Sequence, residues 1–327
     1  MASVFPWKSK LHLFPSFLEK GVVMNVKTLL VTGLGGFVGC HLRAALPAMT
    51  GWKLIPEQAY DLLDPASLDA WLQQCVPEAV IHLAGQTFVP EAFKDPAHTL
   101  QVNVLGTLNL LQALKRAGFS GTFLYVSSGD VYGQVGECDL PINEQLLPKP
   151  RNPYAVSKVA AELLCLQWSY KECWRIMVAR PFNHVGPGQR EDFVIPGVAR
   201  QLARIRKGLQ APRIDIGDVD VTRDFLDVRD VINAYFSLLE HGHNSEIYNV
   251  CSGQEQRIST LIEQMATIAG LNVDLHQDQT RLRPSEQRRV MGNSLKLREQ
   301  TGWTPGISIT ETLQSVLSDW EPRVERE

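Results

Sequence analysis

The stretch Thr32-Gly33-Leu34-Gly35-Gly36-Phe37-Val38-Gly39 stands directly between the apolar run Leu29-Leu30-Val31 and a segment with Leu42, Ala44, Ala45 and Leu46 at helical spacing. That order reads as strand, glycine turn, helix. Gly33, Gly36 and Gly39 leave room for a tight turn, for close backbone approach to a pyrophosphate and for helix-on-strand packing. Phe37 and Val38 open the helix, whose N-terminal NH groups and positive dipole end favour an anion. A glycine triplet alone is also an ordinary tight turn; its place between strand and helix points to a dinucleotide.

A second pattern points to chemistry. Tyr154 and Lys158 are four residues apart, which on a helix puts a phenol and an ammonium on one face. A free phenol titrates near pH 10, and a cation one turn away favours phenolate, so proton exchange with a substrate oxygen is expected to move toward neutral pH. Carbonyl–alcohol interconversion is the reaction such a pair serves. On a solvated helix the same spacing is common and silent, so the reading depends on the glycine turn upstream.

With 327 residues, the chain can hold one large α/β unit and a smaller lobe. The net charge is −3 and the 32 basic residues form no block, which argues against a nucleic-acid partner. Six cysteines, Cys40, Cys75, Cys138, Cys165, Cys173 and Cys251, lack C-x-x-C spacing or a histidine cluster. They read as reduced packing residues of a cytoplasmic enzyme with neither metal nor disulfide. No apolar run approaches the length of a membrane span. Residues 1–23 read as a disordered or non-native extension, with Met24 as a candidate start, since charged and polar residues interrupt the apolar stretch too often for a secretory signal.

Beyond the turn, apolar runs and helical segments alternate, which predicts a parallel doubly wound sheet. Strands are expected at Lys53-Leu54-Ile55, 79–83, 122–126, 175–179 and Tyr248-Asn249-Val250, with helical segments at 65–75, 98–117 and 153–171. The expected fold is thus α/β, a Rossmann-type sheet with a smaller, interleaved C-terminal substrate lobe. The sheet domain takes 24–183 plus about 246–268; the lobe takes 184–245 plus 269–320, read as short helices broken by Pro and Gly.

Taken in order, Thr32-Gly33-x-x-Gly36-Phe37-x-Gly39, Asp61-Leu62, His82-Leu83-Ala84-Gly85-Gln86, Asn103-Val104-x-Gly106-Thr107, Ser127-Ser128-Gly129-Asp130-Val131-Tyr132-Gly133 and Tyr154-x-x-x-Lys158 resemble the extended short-chain dehydrogenase/reductases that act on nucleotide sugars. The likeness runs from about residue 27 to 320. Within that family, PRNPYAVSK at 150–158, ARPFNHVGPGQ at 179–189, TRDFLDVRDV at 222–231, YNVCSGQ at 248–254 and RPSEQRR at 283–289 resemble the branch that reduces GDP-4-keto-6-deoxy-D-mannose at C4 to GDP-D-rhamnose for bacterial polysaccharides.

The resemblance implies that Asp61 and Leu62 sit by the adenine, that Leu83, Ala84 and Gly85 lie beneath the dinucleotide, and that Asn103 supports the site. It implies a GDP-sugar held by Ser128, Gly129, Asn183, Arg223, Arg283 and Glu286. Ser128 can reach the sugar carbonyl, Tyr154 donates the proton as hydride arrives, and Lys158 steadies Tyr154 and the nicotinamide ribose. A turn-capping role for Ser128 is the bland alternative, and Ser127 is expected to be the capping neighbour. A homodimer is implied, paired through the 98–117 and 153–171 helices, which carry apolar residues beyond one stripe, among them Leu108, Leu111, Leu163, Leu166 and Trp168, with core burial accounting for some of these.

Coenzyme choice is weakly encoded. Ile55-Pro56-Glu57-Gln58 offers neither a clean terminal acid for a free 2′-hydroxyl nor an obvious arginine for a 2′-phosphate, although Arg43 reaches one if its helix leans suitably. NADP(H) is expected, with NAD(H) tolerated. Beside the reductase stand a GDP-mannose 4,6-dehydratase, another NDP-sugar epimerase or dehydratase, and a non-enzymatic regulator. In related 4,6-dehydratases a carboxylate two residues after the Ser or Thr moves the C5 proton; Asp130 keeps that place with a shorter side chain. An NADP-sensing regulator on the same fold tends to lose the tyrosine or lysine, whereas both stand here.

Overall fold

The structure is a computed structural model and describes residues 26–281 and 287–327. The proposed extension at 1–23, and Arg283 and Glu286, lie outside the described residues.

Eleven strands are described: β1 (Lys27–Thr32), β2 (Trp52–Leu54), β3 (Ala79–His82), β4 (Thr122–Val126), β5 (Arg175–Pro181), β6 (Asn183–Val185), β7 (Arg213–Ile216), β8 (Thr222–Asp227), β9 (Ile247–Val250), β10 (Glu255–Arg257) and β11 (Asp274–Gln277). Six form one parallel sheet in the order β2-β1-β3-β4-β5-β9. Alternate residues feed its two faces, as a period of two requires. Leu29, Val31, Ile81 and Leu124 meet the helices Phe37–Ala45 and Val228–His241, while Leu30, Val80, Phe123 and Ile176 meet Pro65–Leu72, Gly106–Arg116 and Pro153–Ser169. Burial on both faces explains why these strands read as continuous apolar runs.

β1 lies between β2 and β3, so the chain leaves β1 toward one edge of the sheet and leaves β3 toward the other. This reversal opens a crevice at the carboxyl ends of the two strands, the place where open α/β sheets bind ligands. The glycine turn follows β1 and Leu83-Ala84-Gly85 follows β3, so both motifs border the crevice.

A second core is built from the helices Val194–Arg206, Ile258–Ala269 and Ile309–Val324 against β7 and β8. The expectation of short helices here is corrected, because these helices run 13, 12 and 16 residues. The two cores also exchange helices relative to the expected boundaries. Val228–His241, in the span given to the lobe, packs on the main sheet, and Ile258–Ala269, in the span given to the sheet domain, packs in the lobe. Both helices are amphipathic, and period alone does not say which of two apolar surfaces a stripe will meet.

The segment expected as one helix over 98–117 is instead Pro96–Leu100, a wide turn at Gln101–Leu105 in which Gly106 N–H reaches back to the Gln101 carbonyl, and Gly106–Arg116. Such widened turns are often found at functional sites; this one carries Asn103.

Candidate active site

Each glycine of the first turn meets a different neighbour. Gly33 has φ +79°, and a Cβ there would lie 2.8 Å from the Ala84 amide nitrogen, so the turns after β1 and β3 touch only because this residue is glycine. At Gly39 a Cβ would run into the Gly33 carbonyl and lie 2.6 Å from Leu34 Cα, which makes it the packing glycine. At Gly36 a Cβ meets only the Gly33 carbonyl, at 3.3 Å, leaving an open approach to the helix that starts at Phe37. This open cradle fits a pyrophosphate. Phe37 also stacks parallel to His184, centroids 6.2 Å apart, and meets His41 edge-on at 5.3 Å.

Tyr60, unremarked in the sequence reading, holds the turn from behind. Gly33 N–H donates to its hydroxyl oxygen at 2.8 Å, and its ring stacks on Trp71 at 4.6 Å. Next to it, Leu62 is buried beneath Gly106, its carbonyl accepts from Asn109, and Asp61 accepts from Leu63 N–H at 2.8 Å. Arg43 pairs with Glu57 at 2.8 Å, which puts an arginine and an acid together beyond the end of β2.

Asn103 ties the floor of the crevice to the Tyr154 helix. Its Oδ1 accepts from Gln86 N–H at 2.7 Å, and its Nδ2 donates to the Gln86 carbonyl at 2.9 Å and to Ser157 Oγ at 2.8 Å. A Cβ on Gly85 would lie 2.8 Å from Asn103 Oδ1 and 3.8 Å from Lys158 Nζ. Beneath them, His82 bridges Thr32 Oγ1 at 2.7 Å and Thr107 Oγ1 at 3.0 Å, and Thr32 Oγ1 accepts from Ala84 N–H. Burial, with some help from the Lys158 charge, drives the His82 imidazole down to about 3, so it stays neutral. Gln86, Ser157, His82 and Thr107 were missed as supports; His82, Gln86 and Thr107 stand within the family motifs themselves, and Ser157 stands three residues from Tyr154.

Asn152 starts the Tyr154 helix. Its side chain accepts from Ala155 N–H and Pro153 occupies the first turn, which seats Tyr154 and Lys158 on the inward face. Lys158 is buried and donates to the Val126 carbonyl at 2.8 Å, with its Nζ 5.1 Å from the Tyr125 ring centroid and 5.9 Å from that of Tyr154. Burial pushes its ammonium down to about 8 against the upward pull of Glu162. For Tyr154 the expected move toward phenolate is corrected. Burial raises its pKa, the Ser128 hydroxyl offsets part of that, and the Asp130 charge adds to the rise.

Ser128 both interacts with Tyr154 and caps the short turn Gly129–Tyr132, accepting from Asp130 N–H at 3.1 Å. The expected capping by Ser127 is corrected: its hydroxyl is buried without a hydrogen-bond partner among the described residues. Asp130 is exposed and bonded to Asn152. A Cβ on Gly129 would touch the Phe182 ring at 3.0 Å, so the residue preceding Asn183 packs beside Ser128; Asn183 itself is exposed at the start of β6. Arg223 donates to the carbonyls of Thr222, at 2.7 Å, and Gln287, at 2.9 Å.

The apolar residues expected beyond one stripe divide between core and surface. Leu111 is fully buried in the core, Leu108, Leu166 and Trp168 are half-buried, and Leu163 is 63 % exposed. Leu100, Leu105, Val156 and Tyr170 are the other exposed large hydrophobic side chains on these two segments among the described residues, and Leu100 and Val156 line one groove with Pro153.

Comparison with known proteins agrees with this geometry. The sequence profile of the family described as GDP-mannose 4,6 dehydratase matches residues 57–316. The GDP-6-deoxy-D-mannose reductase of Pseudomonas aeruginosa is 62 % identical over 302 residues, 91 % of this chain and 99 % of the reductase. The solved structure of RMD from Pseudomonas aeruginosa complexed with NADPH superposes with a TM-score of 0.88 over 91 % of this chain and 99 % of that one, at 61 % identity. GDP-mannose 4,6-dehydratase of Vibrio cholerae is more distant, 28 % identical over 77 % of this chain and 75 % of the dehydratase. The profile match over residues 57–316, with 62 % identity to a relative over 91 % of the chain, makes this chain a member of the GDP-mannose 4,6-dehydratase family.

Proposed function

We propose that this chain reduces the 4-keto group of GDP-4-keto-6-deoxy-D-mannose with NADPH, giving GDP-D-rhamnose. The observation that carries this reading is the 62 % identity to the Pseudomonas aeruginosa reductase over 99 % of its length. The cradle at Gly33, Gly36, Phe37, Val38 and Gly39, with Leu83, Ala84, Gly85 and Asn103 opposite and Asp61 and Leu62 toward the adenine, holds the coenzyme, which supplies hydride when bound.

The chain's own residues supply the rest. Ser128 orients the sugar carbonyl by a hydrogen bond, and Tyr154 donates the proton that the new hydroxyl needs. A phenol kept protonated by burial is in the correct form for that donation. Lys158, cationic below about pH 8, steadies the phenol and the nicotinamide ribose. Asn183, Arg223, Arg283 and Glu286 hold the GDP-sugar, the guanidiniums taking diphosphate oxygens.

Dehydration, the activity in the family's name, is the second reading. Against it, Asp130 is bonded to Asn152 Nδ2 at 2.7 Å, and a base displaced by about 1 Å can lose a hundredfold in rate. Supplying the protein with NADPH and the 4-keto sugar, then with GDP-mannose alone, and identifying the products separates the two. GDP-D-rhamnose from the first mixture and no turnover of the second is expected; conversion of GDP-mannose alone overturns the reductase.

The enzyme acts as a cytoplasmic homodimer in this reading. Six free cysteines suit a reducing compartment, and Leu100, Leu105, Val156 and Leu163 present an apolar face to a second copy. Leu163→Asp is expected to yield monomer by light scattering; a wild-type monomer at micromolar concentration would remove the dimer.

A further inference from the structure

One turn below Lys158, the same helix buries a carboxylate. Glu162 is 2 % exposed and receives two hydrogen bonds from Arg180 of β5, Nε to Oε1 at 2.9 Å and Nη2 to Oε2 at 2.6 Å. The guanidinium, 3 % exposed, lies over the Tyr132 ring at 4.8 Å, and Tyr132 in turn donates to Asn249 at 2.7 Å. Stability does not account for such a pair, since replacing a buried ion pair by apolar side chains of similar volume is often neutral or stabilising. Its location does suggest a use, because Glu162 is four residues from Lys158 and therefore on its face of the helix.

We propose that Glu162, anchored by Arg180, is a positioning residue that keeps the Lys158 ammonium charged for reduction. The proposal rests on the role given to Lys158 above. Around Lys158 stand Tyr154, Glu162 and Cys165 from its own helix, the Tyr125 ring and Val126 carbonyl from β4, neutral His82 from β3, and Gly85 from the turn after β3. Glu162 is the one carboxylate in this set. Burial pulls the lysine down to about 8, and Glu162 is the largest influence in the other direction. Without it, Lys158 loses its proton nearer neutrality, and the cation that steadies Tyr154 is gone at working pH.

The test is the basic limb of kcat against pH with NADPH and the 4-keto sugar. Glu162→Gln should move the limb down by about one unit, giving about tenfold lower kcat above the limb and near wild-type turnover on the acidic plateau. Glu162→Asp, which retains the charge, should keep the limb close to wild type. Because Glu162→Gln leaves Arg180 buried and unpaired, Glu162→Gln/Arg180→Met is measured beside it and should also move the limb down. A limb coincident with wild type in either folded carboxamide variant, whatever its Tm, overturns the proposal and leaves the pair a strut. Lys158→Met is the control: it should abolish the limb, and persistence of the limb there overturns the lysine assignment itself.

Discussion

Asn152 joins Asp130 to the helix of Tyr154: its Nδ2 donates to Asp130 Oδ2 at 2.7 Å, while its Oδ1 accepts from Ala155 N–H at 2.8 Å. The carboxylate that a dehydratase would use on the sugar is here engaged in fixing the start of the Tyr154 helix. Asp130→Asn should therefore retain most C4 reduction, and product made in heavy water should carry no deuterium at C5. Loss of turnover together with C5 deuterium in the wild-type product would reverse the assignment of Asp130, since an amide cannot accept the proton.

Tyr154→Phe keeps the ring that packs by Lys158 and removes the proposed proton donor. Turnover should fall about a hundred- to ten-thousandfold, with NADPH binding by fluorescence titration little changed. Near wild-type turnover would exclude the phenol as the proton source.

Gly36 and Gly39 predict opposite failures. A methyl at Gly36 meets only the Gly33 carbonyl at 3.3 Å and projects toward the open cradle, so Gly36→Ala should fold with weakened NADPH affinity. At Gly39 the methyl lies 2.6 Å from Leu34 Cα, so Gly39→Ala should lose about 1–3 kcal/mol of stability. Thermal melts and coenzyme titration of the two variants distinguish these outcomes; equal affinity for NADPH in Gly36→Ala would count against the cradle.

Acid should weaken the fold where histidines buried in the neutral form must take up protons. The His82 imidazole is held down to about 3 by burial, so its stabilising share is complete above about pH 6.5 and is lost as pH falls toward the folded value. His82 adds about 1.4 kcal/mol per pH unit to the slope, and His41 and His184, also lowered by burial, act in the same direction. His82→Gln should flatten denaturant stability between about pH 6.5 and 5 by one proton's worth. An unchanged slope would assign it to the other two.

Local patterns were enough to read the sheet in the sequence and to single out Tyr154 and Lys158 as the proposed reacting groups. A parallel strand buried on both faces must be an apolar run, and Leu29-Leu30-Val31 and 122–126 are such runs. A turn whose backbone approaches another turn must lack a Cβ, and Gly33 against Ala84 shows why glycine stands there. Tyr154 and Lys158 share a helix, so their spacing already fixes a common face. What the tertiary structure decided were relations between distant segments. Tyr60 meets Gly33, Asn103 meets Gln86 and Ser157, and Glu162 meets Arg180 only after the sheet has assembled. The exchange of helices between the two cores has the same origin, because an amphipathic stripe specifies that it will be buried but not which partner buries it. Burial likewise reversed the expected sign for Tyr154: spacing revealed the neighbouring cation, whereas desolvation depends on every element packed around the phenol.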